Sequence, residues 1–257
     1  MWFRKELKMV KIVLTPDWFC GKDIFIEIFS FIVLALFFIF AFKNYKLNKN
    51  KKLLYLGVGF SLIALAQLAS IITKLVLYYD FGPSQAIGQA IISSQILNSV
   101  DIFYYIGFFF HRFLTLLGFY VIYRLPQKRL FWGDYTLVIF FILLSSLLSR
   151  EFFYLFHLTA LYLLILIIST YYTIYKNNKF VNTKILITAF SILALSQILY
   201  LFSEMNLCYV IATSLELVSY LILLLLVMKI FKYGKKKGPH GYNLKHAGYN
   251  SGKKERH

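Results

Sequence analysis

The chain has 257 residues, 60% of them hydrophobic and 15% charged, with 28 Lys and Arg against 11 Asp and Glu for a net charge of +17. An ordinary soluble domain carries about half apolar and a quarter charged residues, so this composition excludes one. The basic excess alone would suit nucleic acid, but it is concentrated between apolar runs, which assigns it to a membrane surface instead.

The first 22 residues are basic and aromatic, with Trp2, Phe3, Trp18 and Phe19. Lys8 and Lys11 interrupt the only apolar stretch and Pro16 ends it. No cleaved secretory signal is therefore expected, and residues 1–23 read as an interfacial segment lying on the membrane. Seven apolar runs follow, at 24–42, 53–79, 102–123, 131–149, 152–174, 184–203 and 207–231. Each is near the ~20 residues that a helix needs to cross about 30 Å of hydrocarbon. Period-2 alternation is absent, so the predicted class is an all-α integral membrane protein with seven transmembrane helices.

Between helices 2 and 3, Gly82-Pro83-Ser84 reads as a turn and helix N-cap, and the polar stretch that follows reads as an extension of helix 3. After helix 7, residues 232–257 are rich in Gly, Lys, Tyr and Asn and bury too little to fold alone. This basic tail is expected to be disordered and to meet anionic lipid headgroups, which attract each basic residue by about 1 kcal/mol. Two cysteines, Cys20 and Cys208, are too few for a metal framework. They sit at the same end of helices 1 and 7, as free thiols or as a disulfide if their Cα atoms approach closely enough.

The basic residues set the topology. Lys43, Lys46, Lys49, Lys51 and Lys52 follow helix 1, and Arg124, Lys128 and Arg129 follow helix 3. Lys176, Lys179 and Lys184 follow helix 5, and Lys229, Lys232, Lys235, Lys236 and Lys237 follow helix 7. The alternate connections hold only Arg4, Lys5, Lys8, Lys11, Lys22 and Arg150. The positive-inside rule places the N-terminus outside and the C-terminus in the cytoplasm of a multi-pass cell-membrane protein.

Part of the chain recurs at a constant spacing of 130 residues. Tyr45, Lys46, Asn48 and Lys49 match Tyr175, Lys176, Asn178 and Lys179, and Phe60, Ser61, Ala64, Leu65 and Gln67 match Phe190, Ser191, Ala194, Leu195 and Gln197. Helix 1 thus maps on helix 5 and helix 2 on helix 6, which leaves helix 7 for helix 3 and helix 4 as a linker. The expected plan is a 3+1+3 tandem parallel repeat, 24–123 and 152–231 with 131–149 between them, related by an axis along the membrane normal. This plan resembles that of sugar-exporting SWEET proteins, KDEL-type receptors and microbial rhodopsins. The likeness is one of architecture. No Pro-Gln pair ends helices 1 and 5, and helix 7 has no mid-membrane lysine, so no residue role carries over.

Ionisable groups inside a bilayer cost about 2.5–3.5 kcal/mol each on insertion scales, so each calls for a reason. Phe60, Gln67 and Lys74 form one stripe on helix 2, and Phe190, Gln197 and Glu204 repeat it on helix 6. Glu27 aligns with His157, and Arg112 aligns with Glu216 when Tyr105 is set on Tyr209. An alternative register sets Gly118-Phe119 on Ser219-Tyr220. The candidate intramembrane cluster is Glu27, Gln67, Lys74, His111, Arg112, His157, Gln197, Glu204 and Glu216. Read as structure, it supplies the pairs Arg112–Glu216, Lys74–Glu204 and Glu27–His157 across the two halves. Read as function, it lines an outward-facing, water-filled cavity.

No HExxH, CxxC, P-loop or GxSxG is present, so no catalytic or metal site is assigned, no cofactor is indicated, and an enzyme is not the expected class. The leading expectation is a membrane protein that binds or transports a small polar solute or ion. The alternative is a non-transporting scaffold or receptor-like domain whose basic tail recruits a cytoplasmic partner.

Overall fold

The computed structural model describes residues 17–19, 21–49, 51–80, 93–126, 132–149, 152–203 and 205–236. Among the described residues the regular structure is helical, with no strand. After a 3-10 turn at Asp17–Phe19 come α1 (Lys22–Asn48), α2 (Lys51–Asp80), α3 (Ser93–Arg124), α4 (Trp132–Leu148), α5 (Phe153–Asn178), α6 (Val181–Tyr200) and α7 (Asn206–Lys236). Residues 1–16, Cys20, Asn50, the whole loop 81–92 with its Gly82-Pro83-Ser84 turn, 127–131 with Lys128 and Arg129, Arg150 and Glu151, Glu204 and the tail from 237 lie outside the described residues. Helix α3 begins at Ser93, ahead of the apolar run at 102, in keeping with the polar extension read in the sequence, and α7 runs to Lys236, so residues 232–236 are helical.

Among the described residues, six helices are long and apolar enough to cross a membrane: α1, α2, α3, α5, α6 and α7. Helix α4, the remaining one of the seven, is shorter in its described residues than the run of 131–149 read in the sequence. Its 17 residues span about 25 Å at 1.5 Å per residue, and its apolar part is only Thr136–Leu148, because Gly133 and Asp134 open it with a polar turn. Large apolar side chains such as Phe25, Ile39, Phe140 and Tyr162 are exposed on the outside of the bundle. In a lipid solvent such a surface carries no desolvation penalty.

The packing order makes a ring. Helix α1 packs on α2, α2 on α3, α3 on α5, α5 on α6, α6 on α7, and α7 back on α1, while α4 lies outside against α3 and α5. The connections from α1 to α2 and from α5 to α6 are too short for anything but antiparallel neighbours. Both begin with a lysine in the left-handed conformation, Lys49 at φ 51° and Lys179 at φ 49°. Their N–H groups donate to the carbonyls of Tyr45 and Tyr175 at 2.8 and 2.7 Å, which satisfies a helix-end acceptor in each case.

Helices α2 and α3 cross at two glycines. A methyl added at Gly59 would lie 2.5 Å from Ile122 Cγ1 and 3.1 Å from the Gly118 carbonyl oxygen. One added at Gly118 would lie 2.6 Å from Ile63 Cγ1 and 2.8 Å from the Gly59 carbonyl oxygen. Only glycine allows these backbones to approach so closely. Helices α6 and α7 make their own close contact, where the buried Ser219 Oγ donates to the Ala189 carbonyl at 2.9 Å. Ser219→Ala should cost about 1 kcal/mol, the net worth of one neutral hydrogen bond. Reversible unfolding of the purified protein measures this; an unchanged stability would mean that the bond contributes nothing.

Aromatic rings fill the middle of the ring of helices. Phe60 and Phe190 stack with centroids 6.2 Å apart and planes within 4° of parallel. Phe37 lies 4.3 Å from Phe60, and Tyr171 lies 6.4 Å from Phe190. Leu34, Ile63, Leu116, Phe119, Leu164, Ile167 and Leu223 pack around this layer with almost no exposure.

Candidate functional site

Two turns from the Phe60–Phe190 layer, toward the end that carries the N-terminus of α1, the interior changes from apolar to polar. On α2 the step runs from Phe60 to Gln67 to Lys74, and on α6 from Phe190 to Gln197, since seven residues are nearly two turns and keep one face. A cavity of about 180 Å³ lies there, lined from α1, α2, α3, α5, α6 and α7. Glu27, Gln67, Lys74, His111, Arg112, His157, Gln197 and Glu216 all line it. Glu204, the ninth candidate, lies outside the described residues.

Three polar groups can be traced around the wall. In the first, Lys74 Nζ donates to Asp23 Oδ2 at 2.7 Å and to Glu27 Oε1 at 2.6 Å, and Ser70 Oγ donates to the same Glu27 oxygen at 3.0 Å. Asp23 and Glu27 are one turn apart on α1, so one lysine reaches both carboxylates. In the second, the Glu216 carboxylate receives Tyr220 OH at 2.9 Å and Gln67 Nε2 at 3.3 Å on Oε1, with Tyr200 OH at 3.0 Å on Oε2. Gln67 Nε2 also donates to Tyr220 OH at 3.4 Å, which ties α2, α6 and α7 together. In the third, His157 Nδ1 donates to Gln197 Oε1 at 2.8 Å, and its ring stacks on Tyr200 at 4.9 Å.

His111 Nδ1 lies 3.0 Å from the Ala66 carbonyl. A carbonyl only accepts, so this nitrogen carries the proton and Nε2 of the neutral ring is an acceptor. Arg112 Nη1 donates to Ser149 Oγ at 2.9 Å, and its guanidinium sits 5.9 Å from the centre of the Phe108 ring. Ser149 donates in turn to the Ser146 carbonyl, so the end of α4 braces this arginine from outside the ring.

The partners differ from those expected. Glu216 is bound by Gln67 and two tyrosines rather than by Arg112, and Glu27 is bound by Lys74 and Ser70 rather than by His157. Lys74 turns to α1 for its carboxylates. The cause is register and rotation: the Gly59–Gly118 and Ala189–Ser219 contacts bring Gly118 and Ser219 to equivalent depth. That sets Glu216 level with Thr115 and leaves Arg112 one turn nearer the α1 N-terminal end, directed at α4. Asp23, Ser70, Tyr200 and Tyr220 were missed in the sequence. Tyr200 falls three residues after Gln197 and Tyr220 four after Glu216, so extending each polar residue along its helix face would have found them.

Among the described residues, no group of three or more His, Cys, Asp or Glu could hold a metal ion. Cys208 is a free thiol. Phe19 is buried edge-on to Tyr209, which anchors the segment before α1 against α7. No protein-family model matches this chain, and comparison with curated proteins and with solved structures also returns no match.

Proposed function

We propose that this protein binds a small polar solute or ion in the cavity and carries it across a membrane, with the cavity facing outside. The observation that supports this most is convergence. Six helices contribute ionisable or amide side chains to a single space, although each alone is expensive to place within a bilayer. A purely structural set of ion pairs would have no need of a cavity. The space is smaller than the ~300–1,000 Å³ of drug-sized pockets, which favours a small solute.

The same reading treats α1–α3 and α5–α7 as tandem copies with α4 as linker. Positions 130 apart behave alike in support of it: the lysine caps at 49 and 179, the stacked Phe60 and Phe190, and residues 27 and 157, which contact residues 70 and 200 respectively. The remaining interfaces of the ring, α1 with α7 and α5 with α3, exchange under the same mapping. A two-fold axis along the bundle would pass through the Phe60–Phe190 stack, making that aromatic layer the barrier on the cytoplasmic side.

A screen of small amines, amino acids, sugars, carboxylates and inorganic ions against the purified protein tests the binding step. At least one class should raise the thermal midpoint, and Gln197→Leu should abolish that shift; a flat response to every class contradicts the reading. The orientation has its own test. In intact cells, cysteines placed at Lys49 and Lys179 should resist a membrane-impermeant thiol reagent, and one at Ser93 should react. Labelling at 49 with protection at 93 would invert the topology.

A further inference from the structure

We propose that the cavity takes a small monocation that donates hydrogen bonds, of the ammonium or primary alkylammonium class, with Glu216 as its main counter-charge. This rests on the cavity being the working site. Among the described residues, three carboxylates (Asp23, Glu27 and Glu216) line it against two permanent cations (Lys74 and Arg112). Lys74 is taken up between Asp23 and Glu27. Among the described residues Glu216 has only neutral donors, the two tyrosines and Gln67. Lys74 acts on this carboxylate only from a distance, so a cation bound in the cavity would be its first charged hydrogen-bond donor.

The acceptors agree. Glu27 Oε2 and Ser203 Oγ are buried without any hydrogen-bond partner, and both residues line the cavity. Ser203 is only 2% exposed, so bulk water does not satisfy it. Buried polar atoms are paired in the great majority of cases, and two unpaired oxygens in one small cavity mark a place where a donor belongs. His111 offers a third acceptor, because its Nδ1–H is committed to the Ala66 carbonyl and Nε2 is left with its lone pair. His157 offers a fourth by the same argument from its bond to Gln197.

Aromatic rings make up part of the remaining wall, including Phe119, Phe153, Phe156 and Tyr209, beside Ile26, Leu193 and the hydroxyls of Ser30, Thr115 and Thr213. Ring faces attract a desolvated cation and replace water around its carbon-bound hydrogens. Hard inorganic cations instead require a shell of oxygens, which mixed imidazole and ring faces do not supply. The space of about 180 Å³ equals about six waters at ~30 Å³ each, enough for a short alkylamine.

Equilibrium dialysis of the full-length purified protein with labelled methylammonium tests this, with potassium, acetate, alanine and glucose as parallel arms at matched ionic strength. Saturable methylammonium binding is expected, weakened at least tenfold by Glu216→Gln and at least threefold by Tyr200→Phe, which keeps the charge but removes one of its donors. Tyr200→Phe keeps the test decisive if Glu216→Gln does not fold. Binding of alanine, glucose or acetate without methylammonium would overturn the ligand class while leaving the cavity as a solute site. Potassium binding as tightly as methylammonium would leave a cation site but remove the hydrogen-bonding requirement. No binding in any arm would overturn the proposal, and the wider solute screen would then decide the function itself.

Discussion

Lys74→Met is expected to cost about 3–5 kcal/mol of stability, the penalty for removing one partner of a buried ion group. Lys74 is 5% exposed and holds both Asp23 and Glu27, so its loss leaves two carboxylates facing each other at one turn's spacing in low dielectric. Total stabilities are commonly only about 5–15 kcal/mol, so the variant should accumulate poorly and aggregate on extraction. Adding Asp23→Asn and Glu27→Gln should recover most of the loss, because the uncompensated charges go with the lysine. Size-exclusion profiles and denaturant unfolding of the single and triple variants measure this. A triple variant weaker than Lys74→Met alone would mean that the three side chains do not form one unit.

Gly118→Leu should be strongly damaging, at about 3 kcal/mol or more. Inserting methylenes into a packed core costs ~1–3 kcal/mol where neighbouring side chains can move. Here the nearest backbone atom is the Gly59 carbonyl oxygen, 2.8 Å from the first added carbon, and a helix backbone cannot step aside alone. Helices α2 and α3 must separate along their length, which also opens the cavity wall between Gln67 and His111. Gly59→Ala and Gly118→Ala should each destabilise by less, and together by less than their sum, because the first has already moved the helices apart. Strict additivity in that double-mutant cycle would show that the two glycines do not share one contact.

The helices were legible in the sequence because crossing a bilayer demands about 20 apolar residues, a signal that local context does not blur. Their true ends were less so: α1 extends past the apolar run through Tyr45 to Asn48, since lysine and asparagine continue a helix at little cost once the preceding turns are packed. Helix α4 joins the end of α3 at one face of the bundle to the start of α5 at the other, but its described apolar part, Thr136–Leu148, is shorter than the run read in the sequence, because composition alone does not mark where an apolar helix meets its polar ends. The polar stripe on α2 and α6 could be read from seven-residue spacing, since period fixes the face of a helix. Partner choice could not. Lys74 meets Asp23 because α1 and α2 pack closely at Gly57, where an added methyl would lie 2.5 Å from Ala41 Cβ, and Arg112 meets Ser149 because α4 lies outside the ring. Both facts belong to the rotational setting of helices about their axes, to which apolar periodicity in lipid is nearly blind when all faces are greasy.

The most direct test of a central polar cavity sealed on one side by the Phe60–Phe190 layer is cysteine accessibility from each face of the membrane. In a background with Cys20 and Cys208 replaced by serine, Ser70→Cys and Thr115→Cys place thiols in the cavity wall, and Leu56→Cys places one in the core on the far side of Phe60. The first two should react with an impermeant thiosulfonate added to the face that carries the N-terminus of α1, while Leu56→Cys stays inert from that face. Cavity thiols that are silent from both faces, or a thiol at 56 that reacts as fast as those at 70 and 115, would contradict the account.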